Sequence, residues 1–157
     1  NIVRTLAFEH PQPEDVLAAA NRMVCRISAP EAFVTCCYAV LDVASLAVRW
    51  ASAGHPTPLL LGPDPRFLPT PVGVPLGVDP EATFGSSAMQ VGPHDHLVLY
   101  TDGMVEERDR SIEDSLARLL ADRVGPPDSP QATIEWLLAR APTDDDLAIV
   151  CLAPATS

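Results

Sequence analysis

The sequence predicts an α+β domain in which helices and antiparallel strands occupy separate stretches of the chain. Two segments with helical periodicity come first, several apolar and β-branched segments follow, and two more helical segments precede a last strand. This order lacks the strand–helix alternation of a doubly wound parallel sheet and is typical of α+β folds. Because 157 residues suffice for one domain with a buried core, we predict a single domain over residues 1–157.

Helices are predicted at both ends of the chain. Residues 1–10 have the pattern of the end of an amphipathic helix, so we expect the chain to begin inside a domain, with an upstream segment missing. A second helix is predicted over residues 13–27, because Pro13 suits a first turn and apolar residues recur at helical spacing from Val16 to Ile27. The last two helices are predicted over residues 112–124 and 130–141.

Strands are predicted between these helices and at the end of the chain, over residues 32–41, 46–53, 59–61, 82–91, 97–101 and 147–152. The first is β-branched, aromatic and apolar, which indicates burial of both faces. A turn at residues 42–45 joins it to the second as an antiparallel hairpin. The strands over 97–101 and 147–152 are also predicted to be buried. The rest of the Gly- and Pro-rich section 53–77 is predicted to form loops.

The composition excludes several classes of partner. A net charge of −11, without any lysine, argues against nucleic acid and anionic membranes and is compatible with divalent cations. No apolar run approaches the length of about 18 residues that a membrane span needs, and no signal-peptide pattern is present, so we expect a cytoplasmic protein. The four cysteines form no CxxC pair and are expected to be buried free thiols.

Two acidic positions stand out because each adjoins a predicted buried strand. Asp102 follows the strand over 97–101, and Asp144, Asp145 and Asp146 directly precede the strand over 147–152. Carboxylates held at the ends of adjacent strands can converge on one hard cation, and Mg²⁺ and Mn²⁺ prefer such oxygen ligands. The spacing alone favours the alternative, in which Asp102-Gly103 is an ordinary turn and the three aspartates form a solvated loop.

The histidines and the standard catalytic motifs are less informative. His55, in the segment AGHPTP, is interpreted as a loop histidine, with a catalytic role as the alternative. His94 and His96 have a spacing that could chelate a metal, but we interpret them as an exposed pair at a turn. The sequence contains no GxSxG, GxGxxG or GxxxxGK[ST] motif, so it gives no support to those nucleophile and nucleotide sites.

Four motifs occur together in a diagnostic order: AGHPTP at 53–58, VGVPLG at 72–77, LVLYTDG at 97–103 with a glutamate soon after, and DDDLAIVCL at 144–152. In this combination the chain resembles the SpoIIE-like subgroup of PPM (PP2C-type) serine/threonine phosphatases. The resemblance extends over essentially the whole chain. It implies an α+β, PP2C-like sandwich of antiparallel β-sheets flanked by helices and, in this chain, lacking its first strands.

The resemblance also implies a chemistry. Members of the family use two Mn²⁺ or Mg²⁺ ions to activate a water that hydrolyses a phosphoserine or phosphothreonine, here on a regulatory protein of the anti-anti-sigma type. The family's metal-binding catalytic aspartates correspond to Asp102 and Asp145. His55, Gly103 and Asp146 are expected to shape the site. The alternative is a non-catalytic pseudophosphatase, or partner-binding module, in the same kind of signalling pathway.

The chain departs from the family pattern at its beginning, because the family's two upstream aspartate segments do not occur in these residues. Asp102 and Asp145 alone would offset the charge of one ion but not the repulsion within a pair. We therefore expect these 157 residues alone to be inactive and the intact domain to be active. Missing strands would also leave a sheet edge open, from which we expect self-association.

Overall fold

The computed structural model confirms the predicted order of helices and strands. It describes residues 2–29, 32–104, 112–121, 128–142 and 146–154. The helices there are α1 (Ile2–Glu9), α2 (Pro13–Ile27), a short 3₁₀ helix (Asp102–Met104), α3 (Ile112–Ala121) and α4 (Pro130–Leu138). The strands are β1 (Cys36–Asp42), β2 (Ala47–Ala53), β3 (Leu59–Leu61), β4 (Arg66–Phe67), β5 (Ser86–Gln90), β6 (His96–Tyr100) and β7 (Ile149–Leu152).

The chain divides into two compact units. Unit 1 comprises Asn1–Thr57 and Pro69–Gln90, and unit 2 comprises Pro58–Leu68 and Val91–Ser157. Each unit has its own antiparallel sheet and its own helices, with strand order β1-β2-β5 in unit 1 and β4-β3-β6-β7 in unit 2. The α+β class with antiparallel sheets is therefore confirmed.

In unit 1, helix α2 packs its apolar stripe on β2. Val16 and Leu17 are fully buried with Ala51 in a common core. The predicted hairpin is present, with β1 and β2 in register from Cys36↔Ala53 to Asp42↔Ala47. Its turn is stabilised by the Asp42 carboxylate, which accepts hydrogen bonds from two backbone N–H groups of the turn.

Strand β1 corrects one prediction. The strand begins only at Cys36, and none of its residues is fully buried; Val40 is 39% exposed. The physical reason is its place in the sheet, because β1 pairs with β2 on one side and no other described strand pairs with it. Among the described strands β1 is thus an edge strand despite its largely apolar composition.

In unit 2, β6 is a central strand and its residues form the core. Leu59, Val98 and Tyr100 pack together with Leu119 of α3 and Leu137 of α4. The predicted burial of β6 is confirmed, whereas the predicted burial of the last strand is wrong: β7 lies at the sheet edge and Val150 is 53% exposed.

The remaining differences concern the ends of elements. Strand β5 is shorter than the predicted 82–91, α4 ends at Leu138, and the two-residue β4 was not predicted. The predicted end of α3, residues 122–124, lies outside the described residues. All four cysteines are free thiols, but each is only partly buried. None of the helices in the described ranges is both long enough and apolar enough to cross a bilayer.

Candidate metal centre

The site predicted from the sequence lies where β6 ends and β7 begins. The two strands are antiparallel neighbours, with Tyr100 paired to Ile149 at that end of the ladder. An antiparallel pair places the end of one strand beside the start of the other. The backbone thus brings the residues after Tyr100 next to the residues before Ile149.

Thr101 binds these two chain segments to each other. Its backbone N–H donates to the Ala148 carbonyl at 3.0 Å, and its side-chain oxygen accepts from the Ala148 N–H at 2.9 Å. The same hydroxyl lies 3.4 Å from the Asp146 carbonyl, to which it donates. The sequence motifs do not predict this role of Thr101, although a hydroxyl-bearing β-branched residue between a buried strand and an aspartate is a usable signal.

Asp102 follows directly and opens the 3₁₀ helix. Its side chain is exposed, and its Oδ1 accepts from the Gly103 N–H at 3.1 Å. Gly103 and Met104 are buried, and the Met104 N–H donates to the Thr101 carbonyl at 3.0 Å. The strand end is therefore fixed on both sides while the Asp102 carboxylate faces solvent.

The other predicted ligand, Asp145, lies outside the described residues, as does Asp144. Its distance from Asp102 therefore stays a prediction. Asp146 is described and exposed. Within the described ranges no three His, Cys, Asp or Glu side chains converge as a metal would require.

His55 belongs to unit 1 and holds a loop. Its Nδ1 lies 3.2 Å from the Thr35 hydroxyl, while the Ser52 hydroxyl accepts from the His55 N–H at 3.1 Å and donates to the His55 carbonyl at 3.0 Å. Gly54 has φ +68°, and a Cβ there would lie 2.8 Å from the Pro75 ring, so the AGHPTP and VGVPLG segments meet closely. A role of His55 beside the metal centre stays a prediction.

His96 corrects another interpretation. His94 is exposed, but His96 is 7% exposed within β6, and its Nδ1 lies 2.7 Å from the Thr133 hydroxyl of α4. The pair is therefore not an exposed turn pair. The alternation of side chains along β6 sends His96 to the helix-covered face with Val98 and Tyr100.

The cysteine and tyrosine side chains of β6 and β7 are not activated nucleophiles. Burial raises the pKa of the Cys151 thiol to about 11, and in unit 1 burial together with neighbouring Cys36 raises the pKa of the Cys37 thiol to about 11. Burial also raises the pKa of the Tyr100 hydroxyl. These groups stay protonated near neutral pH, and a protonated thiol is a poor nucleophile. The exposed carboxylates at the strand ends are the groups suited to chemistry here, as oxygen ligands of a hard cation.

Comparison with known families and structures gives consistent results. The model of one family, described as stage II sporulation protein E (SpoIIE), matches residues 1–154. Among solved structures, the RsbU and RsbW domains of Rv1364c from Mycobacterium tuberculosis match with a TM-score of 0.74 at 25% identity, over 99% of this chain and 47% of that chain.

Two further solved structures show the same fold at lower identity. The phosphatase domain of the cell fate determinant SpoIIE from Bacillus subtilis matches with a TM-score of 0.68 at 13% identity, over 99% of this chain and 71% of that one. The SiaA-PP2C domain of Pseudomonas aeruginosa matches with a TM-score of 0.68 at 16% identity, over 97% of this chain and 64% of that one.

Proposed function

Because the chain belongs to the SpoIIE family of PP2C-type phosphatase domains, we propose that it contributes to a metal-dependent protein serine/threonine phosphatase. The observation that supports this most is the fixed end of β6. There Asp102 presents an exposed carboxylate. The Thr101 hydroxyl forms hydrogen bonds with Asp146 and Ala148, which follow Asp145 in the sequence. We expect residues 1–157 to act as one domain in this function.

In this proposal Asp102 and Asp145 bind Mn²⁺ or Mg²⁺. Carboxylate oxygens on a rigid strand end fit a hard cation, and the exposed Asp102 side chain is accessible to one. When bound, such an ion supplies a nucleophilic water and charge stabilisation for phosphoryl transfer. Gly103 and Asp146 shape the surroundings, and Thr101 holds the two strand ends in place.

The proposed substrate is a phosphorylated regulatory protein of the anti-anti-sigma type, acted on in the cytoplasm. The structural similarity to the RsbU and RsbW domains of Rv1364c supports this class of partner. The net charge of −11 supports a protein partner over nucleic acid or an anionic membrane. The raised thiol pKa values of Cys37 and Cys151 argue against a cysteine-dependent phosphatase mechanism.

Asp102→Asn tests the proposal. In the full product of the gene, assayed with a phosphoserine protein and Mn²⁺, the variant should lose more activity than the roughly 10–100-fold typical of removing an outer-shell partner. Calorimetric titration of the 157-residue chain with Mn²⁺ should show weaker binding for the same variant. Asp128→Asn is the matched control, because Asp128 is an exposed aspartate of unit 2 away from these strand ends in sequence.

The outcomes separate the enzyme from the alternative. Equal activity of Asp102→Asn and Asp128→Asn would contradict the assigned site. A full-length protein that lacks activity but still binds a phosphorylated partner would instead support the alternative hypothesis of a non-catalytic pseudophosphatase. Turnover by the 157 residues alone would show that Asp102 and Asp145 need no further aspartates from outside this chain.

A further inference from the structure

The apolar stripe of α2 is covered along only part of its length. Val16, Leu17 and Ala20 are buried in the core of unit 1, as the helical periodicity predicts. Met23 and Ile27 continue the stripe one and two turns further on, yet they are 39% and 68% exposed. The helix therefore carries apolar side chains beyond the part that its own sheet covers.

Neighbouring segments extend this uncovered surface. Phe33, Val34 and Val78 are 61%, 54% and 56% exposed. They adjoin α2, because the backbone of Val34 pairs with that of Leu76, and a Cβ on Gly77 would lie 3.0 Å from Val24 of α2 and 3.6 Å from the Phe33 Cα. Met23, Ile27, Phe33, Val34 and Val78 together are called the α2 end surface below. Exposed apolar side chains on neighbouring segments of this kind are typical of a contact site.

A groove of about 350 Å³ opens beside this surface. It is lined by apolar side chains from α1, α2, the approach to β1 and the VGVPLG segment, among them Val3, Val24 and Leu76, and by the charged side chain of Arg4. No carboxylate among the described residues lines it. In a chain with 21 acidic and 10 basic residues, a groove whose charged lining residue is an arginine is distinctive.

Two more arginines flank the surface from the other side. Arg22 and Arg26 are exposed, lie one turn apart on α2, and occupy the row next to Met23 and Ile27 on the helix. The described ion pairs use Arg49 with Glu14 and Arg66 with Asp64. Among the described residues, no carboxylate pairs with Arg4, Arg22 or Arg26.

We propose that the α2 end surface and the adjoining groove bind an amphipathic segment of a partner protein, whose apolar side chains are flanked by carboxylates. The apolar side chains would cover Met23, Ile27 and Val34, and the carboxylates would pair with the three arginines on either side. Charge complementarity favours this occupant over a second copy bound through the same surface, because a two-fold contact would bring the arginines of the two copies together. The inference goes beyond the phosphatase activity and does not depend on it.

The experiment measures binding of two synthetic peptides by fluorescence anisotropy. Both carry leucines at i, i+3, i+4 and i+7 spacing; one has glutamates and the other lysines at the flanking positions. The chain should bind the glutamate peptide more tightly, and Arg22→Glu/Arg26→Glu should weaken this binding about tenfold or more while strengthening that of the lysine peptide. Arg118→Glu, on an exposed arginine of unit 2, is the matched control.

A second pair of variants tests the apolar part. Ile27→Ser should weaken binding of the glutamate peptide about tenfold, whereas Val72→Ser, at a fully exposed valine outside the surface, should leave it unchanged. Both positions are exposed, so both variants should keep the unfolding midpoint of the parent chain. Equal affinity for the two peptides would overturn the proposal. So would self-association that Ile27→Ser abolishes, because the occupant would then be a second copy.

Discussion

The hydroxyl of Thr101 joins the two chain segments of the candidate metal centre through hydrogen bonds. It accepts a hydrogen bond from the Ala148 N–H and donates to the Asp146 carbonyl, while the next residue is Asp102 itself. A change in this side chain would alter how two acidic segments approach each other without removing a carboxylate. Thr101 is thus a positioning residue in the proposed site.

Thr101→Val tests that role, since valine keeps the shape and loses the hydroxyl. We expect a loss of about 0.5–1.5 kcal/mol in the free energy of unfolding, and Mn²⁺ affinity lowered roughly 10–100-fold, as for other groups that orient metal ligands. Urea denaturation and calorimetric titration measure the two effects. Thr83→Val, at an exposed threonine of unit 1, should change neither. An unchanged Mn²⁺ affinity in Thr101→Val would show that the hydroxyl contributes only to folding.

Single residues differ in how far the sequence predicts them. The strand-end position of Asp102 was predicted because it depends on the five residues before it. The burial of His96 was not, since it depends on Thr133 of α4, which lies 37 residues further along the chain. A local sequence pattern indicates the element in which a residue lies. It does not indicate which distant element covers the side chain of that residue.

At the scale of elements, helix α2 packs on a sheet and also forms hydrogen bonds with a loop. Asn21 is fully buried on the apolar side of the helix, where its Nδ2 donates to the Asp79 carbonyl at 2.7 Å and its Oδ1 accepts from the Gly77 N–H at 2.9 Å. Gly77 has φ +97°, so the loop turns sharply at the point where Asn21 binds it. One amide thereby attaches the end of the VGVPLG segment to the helix.

Asn21→Ala should lower the free energy of unfolding by about 2 kcal/mol, because it removes both hydrogen bonds and leaves their backbone partners to water. Asn21→Asp keeps the acceptor for Gly77 but loses the donor, and burial raises the pKa of the new carboxyl. A folded-state pKa above the unfolded value makes the protonated form favour folding. The loss in free energy of unfolding caused by Asn21→Asp should therefore become smaller as the pH falls toward about 4.

Chemical denaturation at two pH values measures both variants. A deficit in Asn21→Asp that is the same at pH 4 and pH 7 would mean that the new side chain reaches solvent and that the amide is not held as described.

The sequence predicts helices and strands where their pattern is local, but it does not predict which distant strands pair with each other. The β1–β2 hairpin follows from two apolar runs and a short turn headed by Asp42. The edge positions of β1 and β7 could not be predicted in this way, because strand order is set by pairing between distant segments such as β2 with β5. For the same reason the burial of both strands was overestimated.

At the scale of the whole molecule, the edge of strand β1 and the net charge have opposite effects on self-association. Strand β1 offers seven residues of backbone with no described partner on one side, and its one charged residue, Asp42, stands at its end. Such an edge favours pairing with another copy. The charge of −11 disfavours it, and salt screens that repulsion.

We therefore expect self-association that strengthens with salt, as the Debye length falls from about 30 Å at 0.01 M to about 3 Å at 1 M. Sedimentation velocity across this range should show the shift from monomer to dimer. Val40→Lys places a cation on the edge strand and should keep the chain monomeric, whereas Val43→Lys, at an 81% exposed valine of the adjoining turn, should not. Because the two variants change the net charge equally, an equal effect would assign the association to charge and not to the β1 edge. A monomer at every salt concentration would show that the edge is not available for pairing.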